Sequence, residues 1–476
     1  MSAVGLERRL ANFRSGRPAI PAGGPAISEL ARRSTIGAER LAASVDGELV
    51  RTPRGAYVRV EAPSTILPLD RPRLAGLPGQ PPPGAPLLCL DTETTGLATA
   101  AGTLAFLVGL GWWEGSRFRQ VQLLLPDHAD EPALLDELAR RIPPDGWLVT
   151  YNGRGFDWPL LVARFRLVRA APPIHAGHLD LLPLVRRVFK HRMPDARLRS
   201  AETVLLGLHR IGDVEGWEIP GRYLEFLRSG EPTRLLDVVR HNDEDVRSLA
   251  RLLVHVDQGY ADRERWPEAP AGDLAGLARA FSSHGRIAEA LACIEAAIEA
   301  PPASAPSAPV APLRPLAPAE PRRAPVDPDD DGPWWSPRRR PDFGGRPGRH
   351  ASTGSWPAAE GSRLDAPWTE VRLSVERARL LRRLGRYREA EETWLRVADR
   401  GGTLAILAWI EVAKLREHRF ADHEAALAAA RMAQRLAERQ RWLGGWLVRV
   451  DGELARRAAR LIRRIAAAQR LAAKRV

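Results

Sequence analysis

The chain reads as an α/β domain, a mixed sheet flanked by helices, followed by an all-α region. Three observations predict that class. From Pro86 onward, short apolar runs and amphipathic stretches follow one another in the order strand, strand, strand, helix, strand, helix. Two later blocks, residues 270–300 and 368–476, carry apolar residues at helical spacing. Between those blocks, residues 301–367 hold sixteen prolines and too little apolar material for a core, so they read as a disordered or extended linker.

Taken in order, residues 1–82 are rich in Pro, Gly and Arg. They are expected as a loosely packed leader ending at Pro81-Pro82-Pro83, with a small hairpin in the stretch 47–60, where Gly55-Ala56-Tyr57-Val58-Arg59-Val60 alternates. The α/β domain is expected over residues 83–258. Residues 87–91, 104–112 and 118–125 read as strands, and their short connections favour antiparallel neighbours. Residues 131–141 form a helix with a Leu134, Leu135, Leu138 stripe, stopped by Pro143-Pro144. A fourth strand covers 147–150 and a second helix 158–168. The remainder to 256 reads as helical, closing with a helix over 233–256. His178 and Asp180 follow an apolar-poor loop and precede Leu181-Leu182, where Asp180 either caps the next helix or serves a site.

In the helical blocks, Gly285-Arg286-Ile287-Ala288-Glu289-Ala290 is echoed by Gly385-Arg386-Tyr387-Arg388-Glu389-Ala390. A looser third copy begins at Phe420. Gly, then a large residue, then Ala, recurring at about 34 residues, resembles the tetratricopeptide repeat, with an unrelated helical hairpin as the alternative. Such repeats offer a surface for a protein partner. Trp334 and Trp335 in the linker are either a docking peptide or incidental.

The composition narrows the function classes. At 476 residues there is room for two or three cores. No apolar run approaches about 18 residues, so no membrane-spanning helix is expected. Arg8 and Arg9 are followed by no apolar signal core, and the two cysteines, Cys89 and Cys293, fall in different predicted domains. A cytoplasmic protein without a disulfide framework fits both facts. The net charge of +13 and a pI near 10.7 suit a polyanion such as nucleic acid, or reflect a general arginine bias. His and Cys do not cluster at zinc-ligand spacing, and no phosphate-cradling glycine loop with Lys-Ser/Thr is present.

Three motifs carry chemistry. An apolar run leads into Asp91-Thr92-Glu93-Thr94-Thr95-Gly96, which puts Asp91 and Glu93 on one face of a strand end. Asn152-Gly153-Arg154-Gly155-Phe156-Asp157 follows, and His241-Asn242-Asp243-Glu244-Asp245 sets His241 and Asp245 four apart on one helix face. Crowded carboxylates repel unless a hard cation lies between them, and Mg²⁺ or Mn²⁺ favours oxygen ligands. Asp91, Glu93, Asp157 and Asp245 make a nest able to hold two ions roughly 4 Å apart, an arrangement that hydrolyses phosphodiesters.

D-x-E at a strand end, N-x3-F-D, and an aromatic or His three residues ahead of an Asp resemble the DEDD group of ribonuclease H-like 3′–5′ exonucleases. Residues 46–256 resemble more narrowly the bacterial YprB-type predicted exonucleases, through 90–97, His178-Leu179-Asp180-Leu181-Leu182, Ile219-Pro220-Gly221-Arg222-Tyr223 and His241-Asn242. The resemblance implies a ribonuclease H-like mixed sheet with tetratricopeptide-like helices after it. It implies a two-metal 3′–5′ exonuclease on single-stranded DNA or RNA, with Asp91, Glu93, Asp157 and Asp245 as metal ligands. His241 is either the general base, a residue orienting water, or a partner to a carboxylate, because a His here occupies the spacing of the Tyr-bearing subgroup. Thr94, Leu97, Asn152, Arg154 and Phe156 are the expected substrate contacts. The rival readings are a non-catalytic nucleic-acid-binding scaffold that recruits a protein partner through its helices, and a structure-specific endonuclease on the same core.

Overall fold

The computed structural model describes residues 25–96, 102–299, 369–442 and 448–473. Leu97, the first part of the expected leader and the Pro-rich linker with Trp334 and Trp335 lie outside the described residues. Helix α1 (Pro25–Ser44) leads into the hairpin β1 (Glu48–Thr52) and β2 (Gly55–Ile66). The short α2 (Arg71–Ala75) precedes β3 (Leu87–Thr94), β4 (Ala105–Glu114) and β5 (Arg117–Leu124). Then come α3 (Glu131–Arg141), β6 (Trp147–Thr150), α4 (Asp157–Leu167), β7 (Gly177–Asp180) and α5 (Leu181–Phe189). A single turn, α6 (Leu198–Ala201), runs into a π-helical turn over Glu202–Leu206, followed by α7 (Ile219–Ser229) and the long α8 (Leu235–Val256).

The strands form one seven-stranded sheet in the order β1-β2-β5-β4-β3-β6-β7. Neighbours from β1 across to β3 are antiparallel, whereas β3, β6 and β7 run parallel. Parallel neighbours need helical crossovers, and α3 and α4 supply them. The expected strands, both crossover helices and α8 therefore form within a few residues of the bounds read from periodicity.

Two regions differ from expectation. The sheet begins well before residue 83: β2 pairs with β5, and Tyr57 and Val58 enter the core. Two antiparallel strands alone are marginal in water, so the hairpin is stable as part of the larger sheet and not as a loose leader. The second difference is β7, which forms just after an apolar-poor loop in a stretch expected to be helical. Its four residues gain their backbone partners from β6 alone, Thr150 opposite Asp180, and only Leu179 and Asp180 are buried.

Both faces of the sheet are covered. Leu88 and Leu90 of β3 face a core with Leu41 of α1, Leu134 and Leu138 of α3, Leu160 and Phe165 of α4, and Tyr223 of α7. Leu87 and Cys89, of opposite parity, face Val246, Leu249 and Leu253 of α8. This α8 lies close to β4 because that strand has glycines beneath it. A Cβ on Gly109 would sit 2.3 Å from Asn242 Oδ1 and 2.6 Å from Val246 Cγ2. Gln122 and Gln120 of β5 then hold the helix, donating to the Val239 carbonyl at 2.8 Å and to the Asp243 carbonyl at 2.9 Å.

The helical region continues from the same core. α9 (Ala271–Ser283) packs on α5, and α10 (Ile287–Glu299) pairs with α9. From residue 370 onward, α11 (Glu370–Arg383), α12 (Tyr387–Asp399), α13 (Gly402–His418), α14 (His423–Trp442) and α15 (Val448–Ala473) each pack on their predecessor, α11 directly on α10. Arg377 Nη2 reaches Glu295 Oε1 at 3.0 Å across that junction. Small residues at the contacts, Ala290, Ala390, Ala408 and Ala413 among them, let paired helices approach. Cys89 and Cys293 are free and buried. Among the described residues no helix is long and apolar enough to cross a membrane.

Candidate active site

The site lies where the end of β3 meets the N-terminal half of α8. Alternation along β3 points Asp91 and Glu93 toward α8, and helical spacing returns His241 and Asp245 toward them. Glu93, His241 and Asp245 each offer one ligand atom, all within 4.8 Å of one another. His241 Nε2 stands 3.8 Å from Glu93 Oε1 and 3.7 Å from Asp245 Oδ2.

Each of these groups is held by a neighbour distant in sequence. Asn242, fully buried, donates from Nδ2 to Asp91 Oδ2 at 2.8 Å. Its Oδ1 accepts from Gln122 Nε2 at 2.9 Å, which orients the amide. Asp157, at the start of α4, accepts a hydrogen bond from the Thr92 hydroxyl on the other side of β3. His241 Nδ1 lies 2.6 Å from Asp213 Oδ1. That short, charge-assisted contact assigns the proton to Nδ1 and leaves Nε2, facing the carboxylates, as the acceptor. Arg210 caps the cluster: its Nη2 bonds both Glu202 and Asp245, and its Nη1 stands 3.5 Å from Asp213 Oδ2.

Burial and crowding set the electrostatics. Burial first, then the charges of Asp245 and Asp157, push Asp91 well above the usual carboxylate range. Glu93 is raised likewise by burial and then by Asp91. Burial lifts Asp157 to about 6 against the hydrogen bond from Thr92, and lifts Asp245 despite His241 and Arg210. Asp213 is the exception. Burial would raise it, but the hydrogen bond from His241 and the nearby Arg210 guanidinium bring it below the usual value. Four carboxylates raised together are a site short of positive charge, and their oxygens suit a hard divalent cation. The donor set thus suits a divalent cation, with Glu93, His241 and Asp245 as the residues whose ligand atoms converge; Asp91 and Asp157 stand beside them as further negative charge.

The other expected contacts stand as follows. The Thr94 hydroxyl is turned inward, donating to the Gly96 carbonyl at 2.7 Å. Asn152 is exposed in a left-handed conformation (φ 67°), and Arg154 is exposed beside it. Both backbone N–H groups donate to Asp180, at 2.8 and 3.2 Å. Asp180 also caps α5 through Leu182 N at 3.1 Å, so it braces this loop and starts a helix at once. Phe156 is half-buried ahead of α4. Sequence reasoning missed Arg210, Asp213, Glu202 and the bracing role of Thr92. The acid-rich segment around Asp213 offered no motif.

Residues 88–257 match the family described as the RNase_H superfamily. The chain is also 35% identical over 215 residues to the uncharacterized protein YprB of Bacillus subtilis (strain 168), a match covering 45% of this chain and 52% of that protein. The chain thus spans about half the length of this curated relative. Together with the mixed sheet described above, this match gives residues 88–257 an RNase H-like fold.

Proposed function

Starting from that RNase H-like domain, we propose that this protein is a divalent-metal-dependent 3′–5′ exonuclease acting on single-stranded DNA or RNA. The observation that carries the reading is the convergence of Glu93, His241 and Asp245 within 4.8 Å, with Asp91 and Asp157 in electrostatic reach. Asp91, Glu93, Asp157 and Asp245 hold Mg²⁺ or Mn²⁺ in this reading, as two ions. Bound there, such ions supply Lewis acidity and an activated water for phosphodiester hydrolysis.

The chain's own groups do the positioning. Asn242 keeps Asp91 in one orientation, and Thr92 does the same for Asp157. Asp213 fixes the imidazole so that His241 Nε2 takes the proton released by the attacking water. Asn152, Arg154 and Phe156 border the strand's path, with Arg154 on the phosphates. Binding is accordingly salt-sensitive. Helices α9 to α15 are read as a tetratricopeptide-like surface for a protein partner.

The test uses 5′-labelled single-stranded DNA and RNA with Mn²⁺, with chelator, and with Asp91→Ala. A metal-dependent ladder shortening from the 3′ end, absent in the variant, is expected. Cleavage of a circular single strand would mean an endonuclease instead. Intact substrate under every condition, with binding retained, would leave a scaffold.

A further inference from the structure

Arg210 sits where a cation is wanted and where no motif announced one. Its side chain is 7% exposed. Its Nη2 donates to Glu202 Oε1 and to Asp245 Oδ1. Its Nη1 lies 3.5 Å from Asp213 Oδ2, and its Nε lies 3.5 Å from Glu244 Oε2. The Arg210 Nη1 to His241 Nδ1 distance is 3.3 Å, but the proton on Nδ1 already points to Asp213.

Asp245 is one of the carboxylates assigned above to the metal. Arg210 holds Asp245 Oδ1 while Oδ2 faces His241 Nε2 at 3.7 Å, so the conflict is one of charge: a guanidinium repels a divalent ion at such range. The two cations therefore compete for Asp245. Two further features bear on which one yields. Glu202 is 1% exposed, and its second oxygen, Oε2, has no hydrogen-bond partner, so this anchor has unused capacity for Arg210. The segment bearing Arg210 runs between Gly207 (φ 66°) and Gly212 (φ 68°), both in open space, and Ile211 is 96% exposed. The segment can shift without opening a core.

We propose that Arg210 is a resident counter-cation of the acidic nest, which divalent metal releases from Asp245 while Glu202 retains it, presenting its freed N–H groups to a phosphate oxygen of the bound strand. The planar fork of arginine suits phosphate, and charge balance is kept in both states. The inference rests on the nest being a metal site.

The test uses the full chain. Mn²⁺ is titrated calorimetrically without nucleic acid, and a fluorescent single-stranded oligonucleotide is titrated in Ca²⁺. Arg210→Gln removes the charge and keeps donors; Arg210→Lys keeps the charge and loses the fork. Expected for Arg210→Gln are Mn²⁺ binding tighter on the order of tenfold and oligonucleotide binding weaker on the order of tenfold. Arg210→Lys should keep near wild-type Mn²⁺ affinity while weakening oligonucleotide binding. Should Arg210→Gln fail to fold, the wild type still decides the matter: trypsin should cut after Arg210 faster in Mn²⁺ than in chelator. Unchanged or weaker Mn²⁺ binding in folded Arg210→Gln, or a tryptic rate indifferent to Mn²⁺, overturns the inference alone. A wild type that binds no Mn²⁺ overturns the metal-site reading beneath it as well.

Discussion

Removing a site carboxylate should stabilise the metal-free protein, and Asp157 gives the cleanest case. The residue is 6% exposed, and its carboxyl is raised to about 6 against an ordinary value of 3.8. A raised acid favours the folded state while protonated. That contribution is complete below the ordinary carboxylate range and is lost as pH rises through about 6. An acid held that far above its ordinary value leaves the folded state short of about 3 kcal/mol at pH 7.5, relative to low pH. Asp157→Asn removes the charge, and the amide oxygen still accepts the Thr92 hydroxyl. The variant should melt higher than wild type in chelator at pH 7.5, on the order of 5 °C, when followed by circular dichroism. In excess Mn²⁺ the order should shrink or reverse, because binding at about 100 times Kd stabilises wild type by about 2.7 kcal/mol and the variant less. Asp157→Asn melting below wild type in chelator, or equal gains from Mn²⁺ in both proteins, would refute the reasoning.

Three other outcomes follow from the same geometry. Mn²⁺ affinity should fall as pH drops from 8 through about 6, since Asp157, with Asp91 and Glu93 also raised, takes up a proton that competes with the ion; calorimetry showing a flat affinity would count against the nest. Gly109→Ala should cost about 1–3 kcal/mol by pushing α8 off β4, and should weaken Mn²⁺ binding through the displaced Asn242; denaturant unfolding and metal titration read the two effects separately. Trp394→Ala, emptying a position 1% exposed in α12, should cost about 3–5 kcal/mol while leaving Mn²⁺ affinity within twofold in the folded protein. A matching loss of metal affinity there would mean the helices shape the site.

Much of the α/β core was legible because its signals are local. The apolar run before Asp91, the Leu stripe of α3 and the four-residue spacing of His241 and Asp245 each fit within a dozen residues. What escaped reading depends on partners far along the chain. β1 and β2 belong to the sheet only because β5 is there to pair with them. β7 is four residues long and gains its backbone bonds from β6 alone. The Thr92 bond to Asp157 spans 65 residues, Asn242 to Asp91 spans 151, and Arg210 to Asp245 spans 35. A period carries no information about such pairs; an odd-looking acid or arginine between two glycines is all the sequence presents.

The junction between α10 and α11 has a consequence for how this chain can be cut and rejoined. The two helices lie side by side, bridged by Arg377 and Glu295, although residues 300–368 intervene between them. The two helices are therefore held at this seam by packing and ion pairing between partners far apart in sequence. The seam is thus a natural point for splitting the protein into two pieces that reassemble, and for placing a reporter. Joining 299 to 369 through a short turn would test whether the stack is a single continuous spring or two halves held in register.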